Sequence, residues 1–324
     1  MHRIPTATVD ARSSRPSVLA RALTAWAILC LCVGLSITFT RVVDSWTALD
    51  PLATRAAQAI LTAAMVVPLM MLLHRRLENR SSLDKDSSPS AWAEASPSAW
   101  ARAAALGIAV GLCTAVLTWG PAFWAGWIRF GGVSTTQLLI FLVVNTLIVL
   151  AYEAVPEELA LRGYAWDALR RRLGPFASAA GVTILFCATY TGISAVQTGS
   201  ALMFGVRADG ISVSPGGDPI AYLVQISLFG LTLIAARSLP LRGGLAAAIT
   251  FHLVHLTANR LLFGGLGGFD TGVDVTIVTP DAVGLVLVHI ALSGVVFLGL
   301  RRTLKSRRSG GSPGQRGLST PGGR

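Results

Sequence analysis

The chain has 324 residues, of which 52% are hydrophobic and 13% charged, about half the charged fraction of an ordinary soluble domain. With a mean hydropathy of +0.61 it carries repeated apolar runs that a soluble fold would leave exposed, so a water-soluble enzyme is excluded. The formal net charge of +11 would suggest nucleic acid in a soluble protein. Here Arg3, Arg12, Arg15 and Arg21 precede the first apolar run and Arg301, Arg302, Lys305, Arg307 and Arg308 follow the last. Such flanks suit a cytoplasmic membrane rim, and no nucleic-acid partner is expected.

In chain order, the apolar runs predict spans at 22–40, 53–73, 103–119, 137–155, 176–193, 220–236, 245–262 and 282–300, each near the length needed to cross a bilayer. The fold class expected is all-α: a polytopic membrane protein of about eight transmembrane helices. The first run is too long for a signal-peptide core and no small-x-small cleavage site follows it, so we expect it to be retained. Basic connections alternate with weakly charged ones, which places both termini in the cytoplasm. The location expected is the plasma membrane of a prokaryote, multi-pass, in contact with membrane lipid. Residues 1–21 read as a cytoplasmic tail and 22–102 as two spans plus a Ser/Pro-rich linker. Residues 103–300 read as the membrane bundle, and 301–324 as a disordered basic tail. The linker repeats SPSAWA at 88 and at 96 and reads as unstructured to about residue 100. Cys30, Cys32, Cys113 and Cys187 lie inside apolar runs and read as small buried apolar residues.

Ionisable residues inside spans are costly and mark function. At the end of the fourth span, AVPEELALRGY places Pro156 directly before Glu157 and Glu158. Pro156 should kink the helix or start a new segment. Glu158 and Arg162 are four apart and suit an ion pair. Glu157 points about 100° away and stays free. An interfacial helix start, with acids favoured by the dipole, is the bland alternative. In the seventh span, His252, His255 and Asn259 share one helical face that should look into the bundle. In the fifth, Phe186 and Tyr190 are four apart on one face, a pattern that ordinary packing also produces. His289, in the eighth span, has only Ser293 as a polar neighbour on its own helix and reads as packing or an interhelical hydrogen bond. Glu157 lies 13 residues before Arg170, Tyr190 lies 15 after Pro175 and His255 lies 13 after Arg242. Each is thus about 20 Å in from the basic rim, and the three can meet at one level. A carboxylate, imidazoles and an amide buried together suggest water activation and oxyanion stabilisation. We expect spans four, five and seven to carry a cytoplasm-facing cavity.

EExxxR, then an FxxxH-like motif, then HxxxN, in successive parts of an eight-span bundle, resembles the CPBP family of intramembrane endopeptidases, also called Abi or type II CAAX prenyl protease-like. The resemblance covers about residues 135–300 and implies a CAAX prenyl protease 2-like bundle: a hydrolase that performs intramembrane proteolysis on a peptide or membrane-protein substrate. It implies that Glu157 activates water, that Glu158 and Arg162 form the supporting pair, and that His255 and Asn259 stabilise the oxyanion. The family includes members described as metalloproteases and others as metal-independent glutamate proteases. With five histidines in the chain we expect no cofactor. If zinc is used, Glu157, His252 and His255 are its candidate ligands. The chain departs from the family at Tyr190, which stands where the second-motif His belongs. Tyrosine donates hydrogen bonds but is a poor base near neutral pH. His252, one turn from His255, could supply the missing imidazole as an auxiliary beside Phe186. Two other classes stay open: a catalytically silent member that binds membrane partners, and a transporter with a Glu/His proton relay.

Overall fold

The structure is a computed structural model describing residues 17–81, 96–264 and 269–310, with side chains described except in 77–81 and 307–310. The first SPSAWA copy and most of both tails lie outside these residues. Among the described residues, eight helices are long and apolar enough to cross a membrane. They are α1 (Val18–Thr47), α2 (Pro51–Ser81), α3 (Pro97–Trp124), α4 (Thr135–Arg170), α5 (Pro175–Phe204), α6 (Pro219–Arg237), α7 (Gly244–Phe263) and α8 (Leu285–Gly310). Mid-helix residues such as Val116, Leu147, Ile184 and Val295 are exposed, as expected of a lipid-facing surface. The protein is an integral, multi-pass membrane bundle.

The helices outrun the predicted spans because capping, not hydropathy, ends them. The Ser17 hydroxyl accepts the Ala20 N–H at 3.1 Å and starts α1 ahead of residue 22. The Ser96 hydroxyl accepts the Ala99 N–H at 3.3 Å with Pro97 in the first turn. The second SPSAWA copy is therefore the start of α3 and not unstructured linker. At the other end α8 continues to Gly310, so 301–310 is helix where a disordered tail was expected. Lys and Arg are good helix formers and favour a helix C-terminus.

One small element departs from the all-helical pattern. Strands β1 (Ile128–Val133) and β2 (Val273–Ile277) pair antiparallel, Ile128 opposite Ile277 and Phe130 opposite Val275. They join the connections before α4 and before α8, at the bundle end opposite the termini. Trp46, Trp124 and Trp127 are exposed at that same end, where an amphipathic indole suits the headgroup layer.

Lipid supplies no hydrophobic drive between helices, so small residues and buried hydroxyls bring them together. Gly107 and Gly111 are one turn apart on α3. A Cβ on Gly107 would sit 2.3 Å from the Ala247 carbonyl oxygen, and one on Gly111 2.8 Å from a Val254 methyl. These two glycines set the distance between α3 and α7, the helix that carries HxxxN. Thr250 Oγ1 donates to the Ala104 carbonyl across the same contact at 2.9 Å. Thr114 meets Ser293 at 2.7 Å and ties α3 to α8. Thr38 meets Ser200 at 2.7 Å and ties α1 to α5.

Gly107→Ala should lower stability in detergent by about 1–3 kcal/mol, since a backbone carbonyl cannot move aside. Gly120→Ala, on the same helix with nothing within 4 Å of the added Cβ, should be neutral. Thermal unfolding of the two variants checks this, and equal melting temperatures would contradict it.

Candidate active site

Pro156 has no N–H for an ordinary α-helical bond, and an isolated helix would break there. Here α4 runs on to Arg170, and the difference lies in its hydrogen bonding. Residues 150–154 and 158–165 form π turns on either side of a short α segment, with the Val155 N–H reaching back to the Leu150 carbonyl. A π turn inserts one extra residue, absorbs the proline and rotates the residues after it. The helix thus delivers Glu157 and Glu158 in two different directions without interruption.

Glu158 and Arg162 are fully buried and form the ion pair their spacing suggests, 3.0 Å from Nη1 to Oε1. His252 Nδ1–H donates to the same oxygen at 3.2 Å. The Arg162 guanidinium lies over the Phe186 ring, 4.1 Å from its centroid, and Arg237 Nε donates to the Arg162 carbonyl at 3.1 Å. Glu157 takes the other direction. Among the described residues it makes no hydrogen bond or ion pair, and it faces a cavity of about 190 Å³.

That cavity brings together Glu157, Phe186, Tyr190, His252, His255 and Asn259, all expected from the sequence. Glu158 and Arg162 do not line it; they pack behind it. Phe229 of α6 sits edge-on to His252 at 4.9 Å and tilted over His255 at 4.6 Å, fixing both imidazole planes. Tyr222 of α6 meets Tyr190 edge to face at 6.0 Å. Asn259 Nδ2 is 3.0 Å from His255 Nε2, and its Oδ1 is buried without a partner.

The cavity lining extends away from the bundle end that carries the termini, where the sequence suggested it would face. Glu153, Ile193, Tyr222 and Asn259 extend the lining toward the end away from the termini. Tyr222 is only three residues into α6 and Asn259 four from the end of α7. On the basic side the buried Glu158–Arg162–Phe186 cluster closes the space. Depth explains the difference: a group about 20 Å in from one rim has already passed the midplane of a core about 30 Å thick.

Residues 137–258 match the family model described as type II CAAX prenyl endopeptidase Rce1-like. This segment, well under half of the chain, is similar to the CAAX prenyl protease-like family. Comparison with curated proteins and with solved structures returns no match. The matched segment holds EExxxR, Tyr190, His252 and His255 and ends one residue short of Asn259, so it carries every residue that lines the cavity except Asn259.

The zinc alternative can be tested on the donor set. Glu157, His252 and His255 share the cavity, yet among the described residues no group of three His, Cys, Asp or Glu could hold a metal ion. Each His Nδ1 is engaged elsewhere, and Asn259 occupies His255 Nε2. The donors do not fit a metal.

Several residues escaped the sequence reading. Glu153 precedes Glu157 by four and shares its helical face, a spacing that could have revealed it. It pairs with Arg260, whose other nitrogen donates to Asn145 Oδ1 at 3.0 Å. Tyr222 and Phe229 are seven apart on α6, a stripe that reads as packing. His289, by contrast, reads from the sequence as packing or an interhelical hydrogen bond, and it does bond across helices, to α3 and α7.

Glu158→Ala should cost about 3–5 kcal/mol, because it strands a buried guanidinium in the membrane. The double variant Glu158→Met with Arg162→Met should recover part of that loss. Melting of both proteins in the same detergent checks this; a double variant less stable than the single would contradict it.

Proposed function

We propose that the protein is an intramembrane endopeptidase that hydrolyses a peptide bond presented in this cavity, with Glu157 as the base that activates water. The observation that carries the reading is the split between two adjacent carboxylates. One is locked by Arg162 and His252, and the other is unpaired and faces the cavity beside an imidazole–amide pair. A carboxylate that must accept a proton has to be free of competing donors. A tetrahedral intermediate needs a donor about 3 Å from the developing oxyanion, and the second N–H of the Asn259 amide is available for it.

Tyr190 supports a weakened but complete version of this site. Its phenol can hold a water by hydrogen bonding, and His252 offers Nε2 toward the cavity because Glu158 takes its Nδ1–H. The ring, edge to face with Tyr222, narrows the side of the cavity where the second-motif imidazole would sit. Proton transfer then rests on Glu157. A missing acid–base group typically costs 10²- to 10⁴-fold, which predicts slow turnover. The silent, partner-binding alternative gains support from Tyr190 alone.

Cleavage of a panel of fluorogenic peptides, with and without a prenylated cysteine, in detergent or proteoliposomes tests the reading. Glu157→Ala should abolish cleavage and Tyr190→His should raise it by about tenfold or more. No cleavage by either the parent or the Tyr190→His protein would overturn the enzyme reading in favour of the silent one.

A further inference from the structure

His289 is buried on α8, the helix that follows the HxxxN-bearing α7, and it touches the site. Its Nδ1 lies 3.3 Å from His255 Nδ1 and its Nε2 lies 3.2 Å from the Gly111 carbonyl oxygen. At the other end of the row, His255 Nε2 lies 3.0 Å from the Asn259 side-chain amide. Three contacts therefore run in series from the α3 backbone to the cavity.

A carbonyl oxygen only accepts, so His289 Nε2 must carry a proton and donate it to Gly111. Neutral His289 then has a bare Nδ1. Two nitrogens 3.3 Å apart share one proton, so His255 Nδ1 is the one that carries it. Neutral His255 in turn has a bare Nε2, which accepts from Asn259 Nδ2–H. That orientation leaves Asn259 Oδ1 without a donor, as is observed. The opposite sense would set His289 Nε2, as an acceptor, against a carbonyl. Protonating both rings would place two adjacent cations in a buried site, which is strongly unfavourable.

We propose that His289 is a positioning residue that fixes the tautomer of His255 with Nε2 unprotonated and so sets the direction of the Asn259 amide. The consequence for the proposed hydrolysis, on which this functional part rests, is a division within HxxxN. His255 presents an acceptor to Asn259 and not a donor to the oxyanion. The remaining amide N–H of Asn259 is left to meet the oxyanion. The anchor for the whole row is a backbone atom at Gly111, the residue whose missing side chain lets α7 approach α3.

The test is ¹⁵N NMR of histidine-labelled protein in micelles, with the His255 resonances assigned by their loss in His255→Gln. In the parent, His255 should show the Nδ1–H pattern with an unprotonated Nε2. His289→Asn, which keeps an acceptor near the place of Nδ1, should preserve that pattern; His289→Leu should shift His255 to the Nε2–H form or to a mixture. An Nε2–H tautomer in the parent overturns the proposal, as does an unchanged Nδ1–H pattern in folded His289→Leu. If His289→Leu does not fold, the parent and His289→Asn spectra still decide it. In the peptide assay, His289→Leu should lower kcat by about 10- to 100-fold with KM unchanged, and His289→Asn should restore most of it. Should the parent cleave nothing, the protease reading fails while the tautomer measurement stands.

Discussion

A fully buried carboxylate–guanidinium pair inside a membrane bundle is the constraint around which the rest is arranged. Neither Glu158 nor Arg162 can be left alone there, because removing one partner exposes the other to a medium that cannot solvate it. The pair therefore recruits its surroundings: Phe186 under the guanidinium, His252 on the shared carboxylate oxygen, Arg237 on the Arg162 carbonyl. Those contacts come from α5, α7 and α6 respectively, so the pair fixes four helices relative to one another. It also fills the bundle on the basic side. The cavity opens where that filling stops, and Glu157 is the first acidic residue beyond it.

Neutralising one carboxylate while leaving its neighbour free requires the two to leave the helix in different directions. A regular α-helix gives about 100° between adjacent residues. The π turns flanking Pro156 keep the chain helical through a residue that would otherwise end it. Hence the proline, the two acids and the arginine four residues on act as one device. The proline imposes wider turns, the turns keep the acids at the same depth, and the arginine occupies one of them.

The pairing of Glu158 with Arg162, and the shared face of His252, His255 and Asn259, were legible because both depend only on spacing along one helix. The span count was legible for the same reason, since hydropathy is local. What could not be read was lateral. Phe229 and Tyr222 look like packing on α6 until α5 and α7 are beside them, and His289 looks isolated until α3 is. The glycines at 107 and 111 were visible as letters but not as an interface, because their effect lies in what approaches them. That the cavity leans away from the end carrying the termini could not be read for a different reason. Depth was counted from one rim only, and the position of the midplane was left out of the count.

The far-side placement bears on Tyr190. At mid-membrane depth with an apolar wall, a water molecule needs polar groups on more than one side to stay. Glu153, Glu157, Tyr190, Tyr222, Gln225 and Asn259 supply polar groups to the lining of the cavity. Replacing a second imidazole by a phenol removes a proton acceptor but keeps a hydrogen-bonding position. In the proposed hydrolysis such a site keeps the means to hold water while losing part of the means to deprotonate it. In the proposed hydrolysis Glu157 supplies the base, and the buried contacts of Glu158 with Arg162 and His252 keep the neighbouring carboxylate out of the way.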